Sequence, residues 1–404
     1  MNLITQIFIA FLLAIILGII FNESISVIAP LGDLFLRLIK FIIAPLILST
    51  LVVGVSSTGD PKQLGRIGLK TISYYLLTTA VAIIIGLGVA FLLSPGKGVD
   101  VSVSDDTAEV ADQQQQSVVD TFLNIIPENP FDALASGNIL QIIFFALFIG
   151  LAITFVGEKA QPVYRFFDAF AEVMYKITAI IMYVAPIGIL GLVAPVIGEY
   201  GLSVLLPLLK VILAAVIACI LHAVLVYSSA VKIYGKISPL SFFKGISPAA
   251  LVAFSTASSA GTLPVTLKNT QENLCVPNKI SSFVLPLGAT INMDGTAIYQ
   301  GTAVVFIAQF YGLDLSFIQL LTVVVTTVLA SIGTAGVPGA GLIMLTMVLS
   351  SVNMPVEGIA LIAGVDRILD MFRTTLNVVG DASATVVVAG SEKELRVDEP
   401  LKDS

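Results

Sequence analysis

GVDRILDMFRTTLNVVGDASATVVVA, residues 364–389, is long enough to cross a bilayer, yet it carries Asp366, Arg367, Asp370, Arg373, Asn377 and Asp381. From 366 the steps to 370, 373, 377 and 381 are 4, 3, 4 and 4 residues, which puts these positions on one helical face. An ionisable side chain at mid-bilayer costs about 2.5–3.5 kcal/mol on insertion scales, so this face turns to protein, water or a ligand. The bland alternative is a structural ion pair between Asp370 and Arg373. Charges placed this deep mark a functional site by default.

The 404-residue chain around this stretch is 57% hydrophobic and 12% charged. Soluble domains carry roughly 25% charged residues, so the composition is that of an integral membrane protein in a lipid bilayer. The net charge is −7, and no basic run points to nucleic acid. Cys219 and Cys275 have no metal-ligand spacing and read as two buried free thiols. Residues 1–21 lack a charged leader and a cleavage site, so they read as the first span rather than a removed signal peptide.

Six spans precede the C-terminal third: 4–21, 27–55, 71–93, 131–155, 164–197 (with breaks at Pro186 and Pro195) and 202–227. Lys62, Arg66 and Lys70, then Lys159 and Arg165, then Lys232, Lys236 and Lys244 assign the intervening loops to the cytoplasm, with both chain termini. Residues 94–130 hold seven acidic residues, Lys97 and the run Gln113 to Gln116, and form an exposed extracellular acidic loop. Three later segments are interrupted: 249–265 near Ser259 and Pro264, 280–309 at GATINMDGTAIYQ (288–300), and 320–349 at SIGTAGVPGAG (331–341). Non-helical backbone at membrane depth is tolerated only inside protein or along a cavity, so the first and third read as re-entrant hairpins. Their similarity suggests an inverted repeat with a site at the midplane.

Half-helix N-termini offer free N–H groups to a carboxylate, and half-helix C-termini offer carbonyls to a cation. Ser258, Ser259 and the backbone of 337–341 are candidate donors to one carboxylate, and the Arg373 fork suits a second. Asp370 can hold an ammonium group, so the three together describe an acidic amino acid. Asn292, Asp294, Asn377 and Asp381 are oxygen donors in low dielectric, with the carbonyls of 288–292 beside them. Without His or Cys clusters they suit a hard ion rather than a transition metal: a divalent ion, or the sodium that a carrier in this setting would use. His222, the single histidine, reads as a packed neutral core residue, since a relay needs a partner. Tyr74, Tyr75, Thr78 and Thr79 read as packing groups in their span.

SSAGTLPVT (258–266), GATINMDGTAIYQ, SIGTAGVPGAG and LDMFRTTLNVVGD (369–381), in this order after six spans, resemble the dicarboxylate/amino acid:cation symporter family across essentially the whole chain. The resemblance implies an all-α membrane protein of eight transmembrane helices and two re-entrant helical hairpins, working as an elevator in a homotrimer. Residues 1–70 and 131–200 would be the scaffold and trimerisation domain. Residues 71–94 and 201–390 would be the transport domain, 95–130 the extracellular loop and 391–404 the cytoplasmic tail. The second hairpin would be the extracellular gate. By likeness Ser258, Ser259, Thr296, Val337, Gly341, Asp370, Arg373, Thr374 and Asn377 bind substrate. One sodium would use Gly288, Asn292, Asn377 and Asp381. A second would use Thr290, Ser331, Ile332 and Thr334, and a third Tyr75, Thr78, Thr79, Asn292 and Asp294. The likeness thus replaces the packing reading of Tyr75, Thr78 and Thr79.

Gln300 stands where potassium-coupled animal carriers have Glu, which argues against potassium counter-transport. Ala257 and Met371 stand where the family places a second arginine, and Arg367 is the candidate substitute. The expectation is a secondary active symporter, not an enzyme, that takes up aspartate or glutamate on a sodium gradient at a prokaryotic inner membrane. The rivals are a proton-coupled glutamate or C4-dicarboxylate symporter, an ion channel and an intramembrane protease. The protease reading fails for want of a second aspartate motif or a base linked to Ser258.

Overall fold

The structure, a computed structural model, describes residues 3–56, 61–97, 126–332 and 339–395. Among these residues every regular element is helical. The first helices are α1 (Leu3–Phe21), α2 (Ala29–Ser56) and α3 (Pro61–Leu93). The next are α4 (Pro130–Ser136), α5 (Ile139–Val156), α6 (Gln161–Tyr200) and α7 (Leu205–His222). Four stretches, Thr5–Phe35, Arg66–Leu93, Gln141–Ile181 and Gly201–Gly235, are long and apolar enough to cross a membrane by length and composition.

Three sequence expectations shift here. α3 begins well before residue 71 and takes the basic stretch into the helix. Lys and Arg are good helix formers, and Arg66 and Lys70 both find Glu392, just past the end of the last helix. The span expected over 131–155 is divided. Gly137 caps α4 in the left-handed conformation (φ 72°), and the Asn138 side chain accepts the Gln141 N–H to start α5. Conversely, α6 runs unbroken for 40 residues through Pro186 and Pro195.

The C-terminal half is built of shorter pieces. α7 is carried on to Gly235 through two π-helical turns, Ala223–Tyr227 and Val231–Gly235. Then come α8 (Pro239–Thr256), α9 (Ser259–Glu272), α10 (Asn278–Ile291) and α11 (Asp294–Phe310). α12 (Phe317–Ser331), α13 (Ala340–Ser351), α14 (Ile359–Ala363) and α15 (Asp366–Ser391) complete the chain. Ser238 and Ser316 cap α8 and α12, the latter in a capping box with Gln319. The first interruption falls at Ala257 and Ser258, where Ala257 takes φ 50°. Pro264 lies inside α9 and does not end it. The second interruption is Asn292 and Met293. The third falls at 332–339, of which 333–338 lie outside the described residues, as do residues 98–125 of the expected acidic loop. α8 packs on α9 and α12 on α13, so the two expected hairpins are pairs of packed helices.

Contacts sort the helices into two sets. α1, α2 and α5 pack with α6. α3 packs with α7 and α11, and α15 packs with α3, α7, α8, α9, α10 and α11. The sets meet where α13 touches α2 and α5, α10 touches α2, α12 touches α5, and α14 touches α6. α15 is therefore packed by six helices, with Ile368 left exposed, and the polar face at 366, 370, 373, 377 and 381 is buried at every position.

Candidate functional site

The first half of the α15 face is a charge cluster. Arg373 is 3% exposed; its Nε donates to Asp370 Oδ1 at 2.9 Å and its Nη1 to Asp366 Oδ1 at 3.1 Å. Its guanidinium carbon stands 4.7 Å from the centre of the Tyr299 ring. Thr374 Oγ1 donates to Asp370 Oδ1 at 3.2 Å, and the Gly339 N–H donates to Oδ2 at 3.3 Å. The Asp370–Arg373 ion pair weighed as a structural alternative is thus present, and the breaks converge on it. Gly341 abuts the guanidinium so closely that a methyl there would come within 2.5 Å of two of its nitrogens. Ser258 caps α9 by accepting the Gly261 N–H at 3.0 Å, and Ser259 is buried behind it. Thr296 is buried, 3.5 Å from Asn377 Nδ2.

Asn377 and Asp381 carry the face on to the break between α10 and α11. Asn292, extended at φ −86° and ψ 96°, donates from Nδ2 to Asp381 Oδ1 at 2.9 Å and to the Asn377 carbonyl at 3.1 Å. The Asn377 Oδ1 accepts the Gly295 N–H at 2.7 Å. Asn292 Oδ1 is buried with no hydrogen-bond partner. An acceptor left over in such a place is costly unless a cation or donor meets it. A methyl on Gly288 would lie 2.5 Å from both Asp381 Oδ1 and Tyr75 Oη. The first sodium set and Tyr75 of the third therefore share one space that only a glycine leaves open.

Asp294 is fully buried and receives donors from two helices. Thr79 Oγ1 donates to its Oδ1 at 2.7 Å, and Tyr227 Oη donates to its Oδ2 at 2.7 Å. His222 Nε2 lies 3.1 Å from the same Oδ2, and its Nδ1 is buried without a partner. Tyr75 Oη donates to the Val284 carbonyl at 3.0 Å, and Thr78 Oγ1 to the Tyr75 carbonyl at 3.2 Å. His222 is buried as the sequence suggested, but its partner is a carboxylate rather than apolar packing. Tyr227 was not singled out from the sequence. A tyrosine on an apolar span is unremarkable there, and the π-helical turn that carries it is visible only in the backbone.

The second sodium set is not gathered in the same way. Thr290 is exposed and its hydroxyl donates to the Leu287 carbonyl at 3.0 Å, while that of Ser331 donates to Val328 at 2.7 Å. Ile332 ends α12, and Thr334 and Val337 lie outside the described residues. Cys219 is buried and Cys275 half-buried; both are free thiols. Among the described residues no cluster of His, Cys, Asp and Glu could hold a transition metal.

The family profile described as the sodium:dicarboxylate symporter family matches residues 3–391. A proton/sodium-glutamate symport protein of Geobacillus stearothermophilus is 40% identical over 396 residues, covering 95% of this chain and 93% of the relative. A proton/glutamate-aspartate symporter of Escherichia coli is 40% identical over 374 residues, 90% of this chain and 85% of the relative. A C4-dicarboxylate transport protein of Bacillus subtilis is 36% identical over 398 residues, 97% and 94% of the two chains.

Proposed function

The chain belongs to the sodium:dicarboxylate symporter family, a family of multi-pass membrane transporters, and on that premise we propose that it takes up aspartate or glutamate on a sodium gradient. The observation that carries the reading is Asp370 beside Arg373 on one buried face, with Gly339 and Gly341 against them. In this reading Arg373 binds the side-chain carboxylate, which its fork matches in charge and shape. Asp370 binds the ammonium group. Ser258, Ser259 and the half-helix N-terminus of α9 bind the other carboxylate, with Thr296, Val337, Gly341, Thr374 and Asn377 as further contacts. Binding requires Arg373 to trade its Nη1 contact with Asp366 for the solute, while its Nε stays on Asp370 Oδ1.

Sodium is the co-transported ion. The unpartnered Asn292 Oδ1 supports the first and third sets, as do Asp381, which is bonded to Asn292 Nδ2 and shares the Gly288 space with Tyr75, and Asp294, which is bonded to Thr79. The second set, Thr290, Ser331, Ile332 and Thr334, rests on the family resemblance. The set formed by α1, α2, α5 and α6 is the scaffold of a homotrimer. The set gathered round α15 moves against it as an elevator in a prokaryotic inner membrane, with both termini cytoplasmic. A proton-driven carrier is the second reading, favoured by the carboxylates Asp294 and Asp381, which are buried and among the described residues paired with no arginine or lysine.

The deciding experiment is uptake of labelled L-aspartate and L-glutamate into proteoliposomes under an inward sodium gradient or an inward proton gradient alone. Uptake on sodium alone is expected. Uptake on protons alone replaces the coupling ion, and no uptake under either gradient overturns the reading.

A further inference from the structure

One charged side chain at the site has no part in that account. Arg367, the second residue of α15, lies between the first helix break and Asp370. Its Nη2 donates to the carbonyl of Thr256, the last residue of α8, at 3.4 Å. Its Nη1 is 3.6 Å from Asp370 Oδ2. The side chain is 14% exposed, and its Nε is buried with no hydrogen-bond partner. This fork is thus neither a solvated surface charge nor a saturated structural one.

The two oxygens of Asp370 differ as a result. Oδ1 accepts from Arg373 and Thr374. Oδ2 accepts the Gly339 N–H and faces Arg367. With Oδ1 holding two donors, an incoming ammonium group must approach Oδ2, where it meets a like charge. A dicarboxylate without an amine meets a different situation. Asp366 and Asp370 are balanced by Arg367 and Arg373, so the amine-free anion faces no uncompensated carboxylate. Such compensation matters most where water is excluded.

We propose that Arg367 sets the selectivity of this site between amine-bearing and amine-free substrates: by covering Asp370 Oδ2 it admits C4-dicarboxylates and weakens the preference for acidic amino acids. The inference deepens the proposed function and rests on its assignment of Asp370 and Arg373 to the solute. The Thr256 carbonyl, freed where α8 ends, holds the guanidinium in position.

The test is equilibrium binding of L-aspartate and of succinate to the purified full-length protein in saturating sodium. The proteins compared are wild type, Arg367→Gln and Arg367→Lys. Wild type binds both ligands. Arg367→Gln raises the succinate-to-aspartate ratio of dissociation constants by about tenfold or more, because only the amine-free ligand depends on that positive charge. Arg367→Lys restores the ratio to within about threefold of wild type, since it keeps the charge and loses only the fork. Should Arg367→Gln fail to fold, Arg367→Met keeps the aliphatic stem and carries the same expectation. An equal loss for both ligands, an unchanged ratio, or failure of lysine to restore it overturns the inference. So does a wild type that binds aspartate but no succinate. A wild type that binds neither ligand overturns the proposed function, and this inference with it.

Discussion

Two buried polar centres share α15 and lie about two helical turns apart, and they balance charge in opposite ways. In the first, Asp366 and Asp370 stand against Arg367 and Arg373, and the formal charges cancel. In the second, Asp294 and Asp381 have hydroxyl, phenol, imidazole and amide partners, and among the described residues neither is paired with a lysine or arginine. A balanced centre can exchange one of its internal partners for a solute that carries both signs. A centre holding two carboxylates in low dielectric gains most from a bare cation. On the proposed function the same helix supplies a place for the solute and a place for the ion, with Asn377 between them.

The largest effect separating the two centres is expected from Arg373→Ala. It leaves Asp366 and Asp370 buried without their shared partner. Loss of one member of a buried charge pair costs about 2–5 kcal/mol, so acidic-solute affinity falls by about thirtyfold or more. Sodium binding, read by isothermal titration without solute, stays within a few-fold of wild type if the centres are separate. Asp381→Asn comes next. It keeps the shape of the site and removes one charge, and half-maximal sodium for uptake rises by about tenfold or more, as when a supporting group at an ion site is lost. The ranking of aspartate against glutamate at saturating sodium stays unchanged. A variant with wild-type sodium dependence would make this centre a structural feature only.

The smallest effect lies at the end of α15, where Lys70 and Arg66 of α3 both donate to Glu392 and hold its carboxyl below the ordinary glutamate range. A carboxyl with a lowered pKa in the fold contributes stability above its unfolded value and loses it as pH falls through the folded one. Glu392→Gln is therefore expected to lower the melting midpoint in detergent slightly at pH 7. The variant and wild type should converge in acid, below the folded value. A difference that persists there would assign the effect to packing instead.

Much of the first centre was legible in the sequence, because it depends on periodicity within one helix. Asp366, Asp370, Arg373, Asn377 and Asp381 fall on a common face in any α-helix, and all five are buried. The helix break at Asn292 was legible for a similar reason, as a polar stretch inside an apolar span. The prolines misled. Pro186, Pro195 and Pro264 sit inside continuous helices, whereas the break at Asn292 and Met293 contains none. A proline removes one N–H, which a packed helix can absorb. Asn292 finds side-chain partners 85 and 89 residues further along the chain, while its backbone N–H still closes the last turn of α10 onto the Gly288 carbonyl.

The second centre was only half legible. Nothing local distinguishes His222, Tyr227 or Thr79 from packing residues, because each acquires its partner Asp294 across 72, 67 and 215 residues. The resemblance pointed to Thr79 and Asp294, but His222 and Tyr227 emerged only from the packed chain. Composition and helical spacing alone establish a membrane protein with one charged helix face that must avoid lipid, since desolvation of charge is a local cost. Asp366 and Asp370 find their arginines within α15 itself, but the neutral donors that meet Asp294 and Asp381 are decided by how α3, α7, α10 and α11 pack around one another and α15, since that depends on distances between helices remote in the chain.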